Sequence, residues 1–131
     1  MKLDNELVTV AKACILYRCL REVRKQRNYL TQKEDTVVGY VSGKWRLRKD
    51  ALDAMKTFRL SKASIERTTY DLYADAFEEA LIALLREGML KEDREYPRGY
   101  DSFKRKFAIT EQGIEHCNSL RIPEMAKVDW T

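Results

Sequence analysis

The sequence predicts a mainly α protein with a small β-hairpin, an α+β fold built as a single domain over residues 1–131. Three stretches carry that expectation. At 60–67, Leu60 and Ser61 precede Lys62, Ala63, Ser64, Ile65, Glu66 and Arg67, which reads as a turn entering a helix with Ser61 as its N-cap. At 84–90, Leu84 and Leu85 run into Gly88 and then Leu90, a helix that stops at glycine. At 107–113, Phe107 and Ile109 end a strand, and Thr110 opens a new helix ahead of Gly113. Between the second and third stretches there is room for two strands and a turn.

Composition agrees with one folded unit. The chain has 131 residues, 44% hydrophobic and 35% charged, enough to bury a core without disulfide or metal staples. The net charge of +4 is modest, but the charges are segregated. Arg18, Arg21, Arg24, Lys25 and Arg27 form one basic cluster. Lys44, Arg46, Arg48 and Lys49 form a second, and Lys104, Arg105 and Lys106 a third. The acids gather at Asp71, Asp75, Glu78 and Glu79. Such segregation serves a polyanion-binding surface or a set of solvated helix faces.

Along the chain, 5–27 is predicted as a first, extended helix. Leu7, Ala11, Cys14, Ile15, Leu16, Leu20 and Val23 give it a broad apolar stripe. Asp4 or Asn5 caps it, Glu6 suits its positive end, and the first basic cluster suits its negative end. The breadth of the stripe predicts two buried sides, one on the core and one against a partner subunit. Residues 28–35 are polar and read as loop. Residues 36–41 are β-branched and aromatic and read as a short strand, with Ser42 and Gly43 as its turn. Leu47, Ala51, Leu52, Met55 and Phe58 predict a second helix over 46–58, with Trp45 assigned to the core at its entrance rather than to an exposed stacking platform.

From Ser61 to Gly88 the pattern allows one long helix or two. Thr68, Thr69 and Tyr70 are poor helix formers, and Asp75 with Glu78 makes a capping-type pair. Leu72, Ala76, Phe77, Ala80, Leu81, Leu84 and Leu85 form a firm stripe in its second part. Strands at 89–96 and 102–109 then flank a turn near Gly99 and Tyr100. That turn sets Leu90 opposite Ile109 and projects Arg94 and Lys104 outward. A last helix over 110–122 turns Ile114, Cys117 and Leu120 inward, and Pro123 stops it.

Several chemistries find no support. His116 is the only histidine and has no nucleophile motif beside it, so no enzyme is predicted. Cys14, Cys19, Cys117 and His116 lack the paired spacing of a zinc site, and the five glycines are scattered singly, so no metal or cofactor is expected. Cys14 and Cys19 lie five residues apart on a predicted helix, about 140° around its axis, which precludes a bond between them. An odd cysteine count, no leader pattern and no membrane-length apolar run predict a cytoplasmic, reducing location.

Residues 46–117 resemble the winged helix-turn-helix superfamily, especially small DNA-binding regulators of the MarR and PadR kind. The turn at Leu60 and Ser61, the leucine-rich stretch ending at Gly88, the hairpin wing and the Ile109, Thr110, Gly113 signature carry the likeness. Two departures stand out. The path from the turn to Gly88 is about three helical turns longer than in those families. The acids Asp71, Asp75, Glu78 and Glu79 would repel phosphates if they faced a groove.

The resemblance implies a sequence-specific, double-stranded DNA-binding protein, a dimeric transcriptional regulator paired through its first and C-terminal helices. It implies Lys62, Ser64, Arg67 and Thr68 in the major groove, with Arg98 at the wing tip and Lys104 and Arg105 on the adjacent backbone or minor groove. Lys44, Arg46 and Arg48 would neutralise phosphates. The alternatives are a winged-helix protein-interaction module and a DNA-binding plasmid partition or replication protein. No residue demands a small-molecule effector.

Overall fold

The computed structural model describes residues 5–56, 70–96 and 103–119. Along the chain these form α1 (Asn5–Leu20), β1 (Val23–Arg27), β2 (Glu34–Val38), β3 (Val41–Ser42), α2 (Lys44–Met55), α3 (Tyr70–Arg86), β4 (Leu90–Glu95), β5 (Lys104–Ile109) and α4 (Glu111–Ser119). The class is α+β. Among the described residues, four helices accompany a two-stranded sheet, β1-β2, and a three-stranded antiparallel sheet in the order β3-β5-β4.

α1 lies at the centre. Leu7, Ala11, Ala13, Cys14, Ile15, Leu16 and Cys19 are all buried, because α2, α3, α4 and β5 pack around it. The broad stripe that predicted a partner subunit is therefore covered within the chain. Phe77, Leu81 and Leu84 of α3, Leu47 and Met55 of α2, and Phe107 and Ile109 of β5 complete the core.

The first helix ends earlier than expected, at Leu20 rather than 27. The Glu22 N–H donates to the Cys19 carbonyl at 3.1 Å in a tight turn, and the Glu22 carbonyl accepts the Gly39 N–H at 3.0 Å. Residues 23–27 then pair with β2, from Val23↔Val38 to Arg27↔Glu34. Arginine, lysine and glutamine are good helix formers, but a distant partner strand outweighs that preference here. Arg24, Lys25 and Arg27 thus lie exposed on a β-ribbon and do not complement the end of α1.

The neighbouring boundaries move with it. The expected loop over 28–35 is shortened, because Glu34 and Asp35 already belong to β2. The single strand expected over 36–41 divides at Gly39 and Tyr40 into β2 and β3, which join different sheets. The second helix begins at Lys44 and ends at Met55, against the expected 46–58; residues 57 and 58 lie outside the described residues.

The strand β5 ties the two ends of the domain together. It pairs with β3 through Val41↔Phe107, and with β4 in the expected register, Leu90↔Ile109. The junction that follows is fixed by one threonine and two glycines. Thr110 Oγ1 accepts the Gly113 N–H at 3.1 Å and donates to the Gly88 carbonyl at 2.6 Å. Gly88 ends α3 at φ 77°, a left-handed conformation that suits glycine. A Cβ on Gly113 would sit 2.3 Å from the Met89 carbonyl oxygen, so only glycine lets α4 approach the start of β4 so closely. Of the last helix expected over 110–122, the structure shows Glu111–Ser119; 120–122 lie outside the described residues.

Candidate nucleic-acid interface

Pairing of β3 with β5 decides which basic residues meet. The Gly43 N–H donates to the Arg105 carbonyl at 2.8 Å, and the chain turns there, at φ 92°, from β3 into α2. The start of α2 is thereby held against the base of the β4-β5 hairpin. A groove of about 420 Å³ opens between them, with 42–46 as one wall and 103–105 as the other. Lys44 and Arg46 of the second basic cluster and Lys104 and Arg105 of the third thus share one groove.

The start of α2 breaks the rules for a stable helix end. Its N-cap is Gly43, with no side-chain capping bond, and no acid stands in the first turn. Lys44, Arg46, Arg48 and Lys49 occupy that positive end instead. A charge of the wrong sign there costs about 0.3–1 kcal/mol, an expense that a bound anion would relieve.

Some of these cations are already answered. Lys44 Nζ lies 2.8 Å from Glu78 Oε2 of α3, and Arg105 donates through Nε to Glu92 Oε1 at 2.9 Å and through Nη2 to the same oxygen. Ser42 Oγ donates to Glu95 Oε2 at 2.8 Å. Arg46 and Lys104 are exposed and make no ion pair among the described residues. Arg48 is half-buried, and its Nε is buried without a hydrogen-bond partner among the described residues. An unsatisfied buried donor is costly and favours an acceptor.

Sequence reasoning missed the aromatics. Trp45 is not a core residue; it is 71% exposed, with Lys49 Nζ 5.4 Å from its ring. The apolar positions of α2 that face the core are Leu47, Ala51, Leu52, Ala54 and Met55, and Trp45 lies off that face. Phe103, on the opposite wall, is 41% exposed. Arg94 stacks on Phe103 at 4.3 Å, and Tyr96 tilts against it at 5.7 Å between ring centres. Tyr40 lies between Lys106, at 4.6 Å, and Lys91, at 5.5 Å. The signal available in the sequence was Trp45 set between Lys44 and Arg46, an aromatic interleaved with cations.

Of the other expected site residues, Lys62, Ser64, Arg67, Thr68 and Arg98 lie outside the described residues. The acidic part of α3 is visible. Asp75 and Glu79 are exposed, while Glu78 serves Lys44. Glu87, exposed near the end of α3, pairs with Lys12 at 2.8 Å.

Cys14, Cys19 and Cys117 are buried and unbonded to one another. Burial pushes the Cys14 and Cys19 thiols up to about 12 and the Cys117 thiol to about 11. They are protonated at neutral pH, whereas a redox-sensing cysteine reacts as thiolate. Among the described residues, no three of His, Cys, Asp and Glu gather as a metal site, and no helix is long and apolar enough to cross a membrane. No protein-family model matches the chain, and no match is found among curated proteins or solved structures.

Proposed function

We propose that this chain is a winged-helix protein that binds double-stranded DNA, as a transcriptional regulator or in plasmid partition or replication. The topology supports the reading. Among the described residues, α1, β3, α2, α3, β4 and β5 come in the order of a winged helix, with β3 as the short strand after the first helix and β4-β5 as the wing. The β1-β2 ribbon is then an insertion between α1 and β3. The observation that carries the function is the groove between α2 and the wing. There an uncapped helix start, Arg46 and Lys104 present positive charge that no ion pair among the described residues neutralises.

In this reading Lys44, Arg46, Arg48, Lys104 and Arg105 hold phosphates. Lys62, Ser64, Arg67, Thr68 and Arg98 supply the contacts to base edges and the minor groove. With α1 enclosed by its own chain, a homodimer would draw on the C-terminal helix and surfaces outside the core. The test is titration of a random-sequence duplex across salt. Non-specific affinity of roughly 10⁻⁴–10⁻⁶ M, falling steeply with salt, is expected. Replacing Arg46 and Lys104 together by alanine should flatten the log–log salt slope by roughly 0.9 per lost phosphate contact. No affinity for duplex at low salt would remove the proposal.

A second reading is favoured by α3. Asp75, Glu79 and Ile82 recur at i, i+4 and i+7, so they share one helix face, and Ile82 is 54% exposed. An acidic face that ends on an exposed apolar residue suits a basic protein partner, the interaction-module alternative.

A further inference from the structure

We infer that the groove between α2 and the wing stacks an unpaired base, so that the chain binds single-stranded DNA more tightly than a duplex of the same length. The inference rests on the DNA-binding reading above and departs from it in one respect: duplex is held through phosphates alone, a single strand through phosphates and rings together. Phosphate contacts account for the cations of the groove but not for its rings. Trp45 on one wall and Phe103 on the other are 71% and 41% exposed. Tyr96, 59% exposed, extends the aromatic surface from Phe103 along the wing.

Large rings left in water at one place mark a binding surface. In a duplex the faces of the bases are covered by their neighbours, and a ring at the backbone has nothing to stack on. An unpaired base offers both faces and carries its own phosphate. The groove supplies the matching pair of features, rings within it and Arg46 and Lys104 beside them. Its volume of about 420 Å³ falls within the range of small-ligand sites, roughly 300–1,000 Å³. An apolar protein segment fits less well. It would cover the rings but bury Arg46 and Lys104 without a counter-charge, which is costly. Among the described residues, no acidic residue lines the groove.

The experiment compares the full chain on three labelled ligands: oligothymidylate, an abasic phosphodiester of equal length, and a duplex of that length. Oligothymidylate should bind about tenfold more tightly than the abasic strand, the effect of one stacked ring. Trp45→Ala should abolish that difference. Intrinsic fluorescence should be quenched on binding in the wild type and much less in Trp45→Phe, which separates Trp45 from Trp130. Because Trp45 is exposed, neither variant disturbs the core.

Equal, salt-sensitive affinity for the thymidylate and abasic strands overturns the stacking site and leaves the polyanion reading standing. Tighter binding to the duplex than to the thymidylate overturns it as well. Failure to bind any of the three ligands at low salt removes both readings.

Discussion

Arg18 of α1 donates from Nε to Asp50 Oδ2 of α2 at 2.7 Å, from a side chain only 8% exposed. Its Nη1 donates to Glu22 at 2.8 Å. Desolvation alone would lower the guanidinium pKa, but the hydrogen bonds and charges of Asp50 and Glu22 more than offset it and raise the pKa. This bond fixes α2, and with it the groove, on the central helix. Asp50→Ala should destabilise the fold by about 1.5–3 kcal/mol, the value of a charge-assisted bond to a part-buried partner, as read by urea denaturation. A change below the precision of the measurement would mean that Glu22 alone satisfies Arg18.

Gly113→Ala should be among the most damaging substitutions. The new methyl would meet the Met89 carbonyl oxygen at 2.3 Å, a backbone atom that cannot swing aside. A loss of about 1–3 kcal/mol or more is expected from such overpacking. Thr110→Ala, which removes a cap and a bond to Gly88, should cost about 1 kcal/mol. Thermal melting of both variants checks the order.

The acidic partners of the groove give a prediction of opposite sign. Glu78 holds Lys44 and Glu92 holds Arg105. On the proposed DNA-binding reading, Glu78→Gln and Glu92→Gln should each release a cation and tighten binding to DNA at low salt, most visibly in the association rate. Weaker binding by both variants would mean that these pairs position the groove and do not restrain its charge.

The thiols make stability fall in alkali. Folded Cys14 and Cys19 ionise only at about 12 and Cys117 at about 11, above their ordinary value near 9. A raised folded pKa favours the neutral form, so the contribution is whole below about pH 9. It declines between there and the folded values, as thiols of the unfolded chain ionise and draw the equilibrium. Melting temperatures at about pH 7 and about pH 10 should differ less in Cys19→Ala than in the wild type, and native thiols should resist a disulfide reagent at neutral pH.

What the sequence made legible was local. Gly88 as a helix stop and Thr110 as a cap follow from neighbours a few residues apart, and Leu90 opposite Ile109 follows from the single turn between two adjacent strands; each appears in the structure. The strand β1 was not legible, because Arg24, Lys25, Gln26 and Arg27 prefer a helix until β2 pairs with them. The site was half legible. Lys44, Arg46, Lys104 and Arg105 stand out by charge, but their meeting depends on the contact of Gly43 with Arg105, sixty-odd residues apart in the chain. Trp45 misled for a related reason. An aromatic is buried only if something covers it, and nothing in its own neighbourhood of sequence says what will.

The enclosure of α1 has a consequence for how the chain is made. α1 leaves the ribosome before α3, β5 and α4, which cover it. Through most of synthesis Ile15, Leu16 and Cys19 have no complete shelter, and the nascent segment is a natural client for chaperones. A stalled or truncated product ending before β5 would keep those residues open to proteolysis. Release of β5 and α4 is therefore the event that commits the domain to its native state.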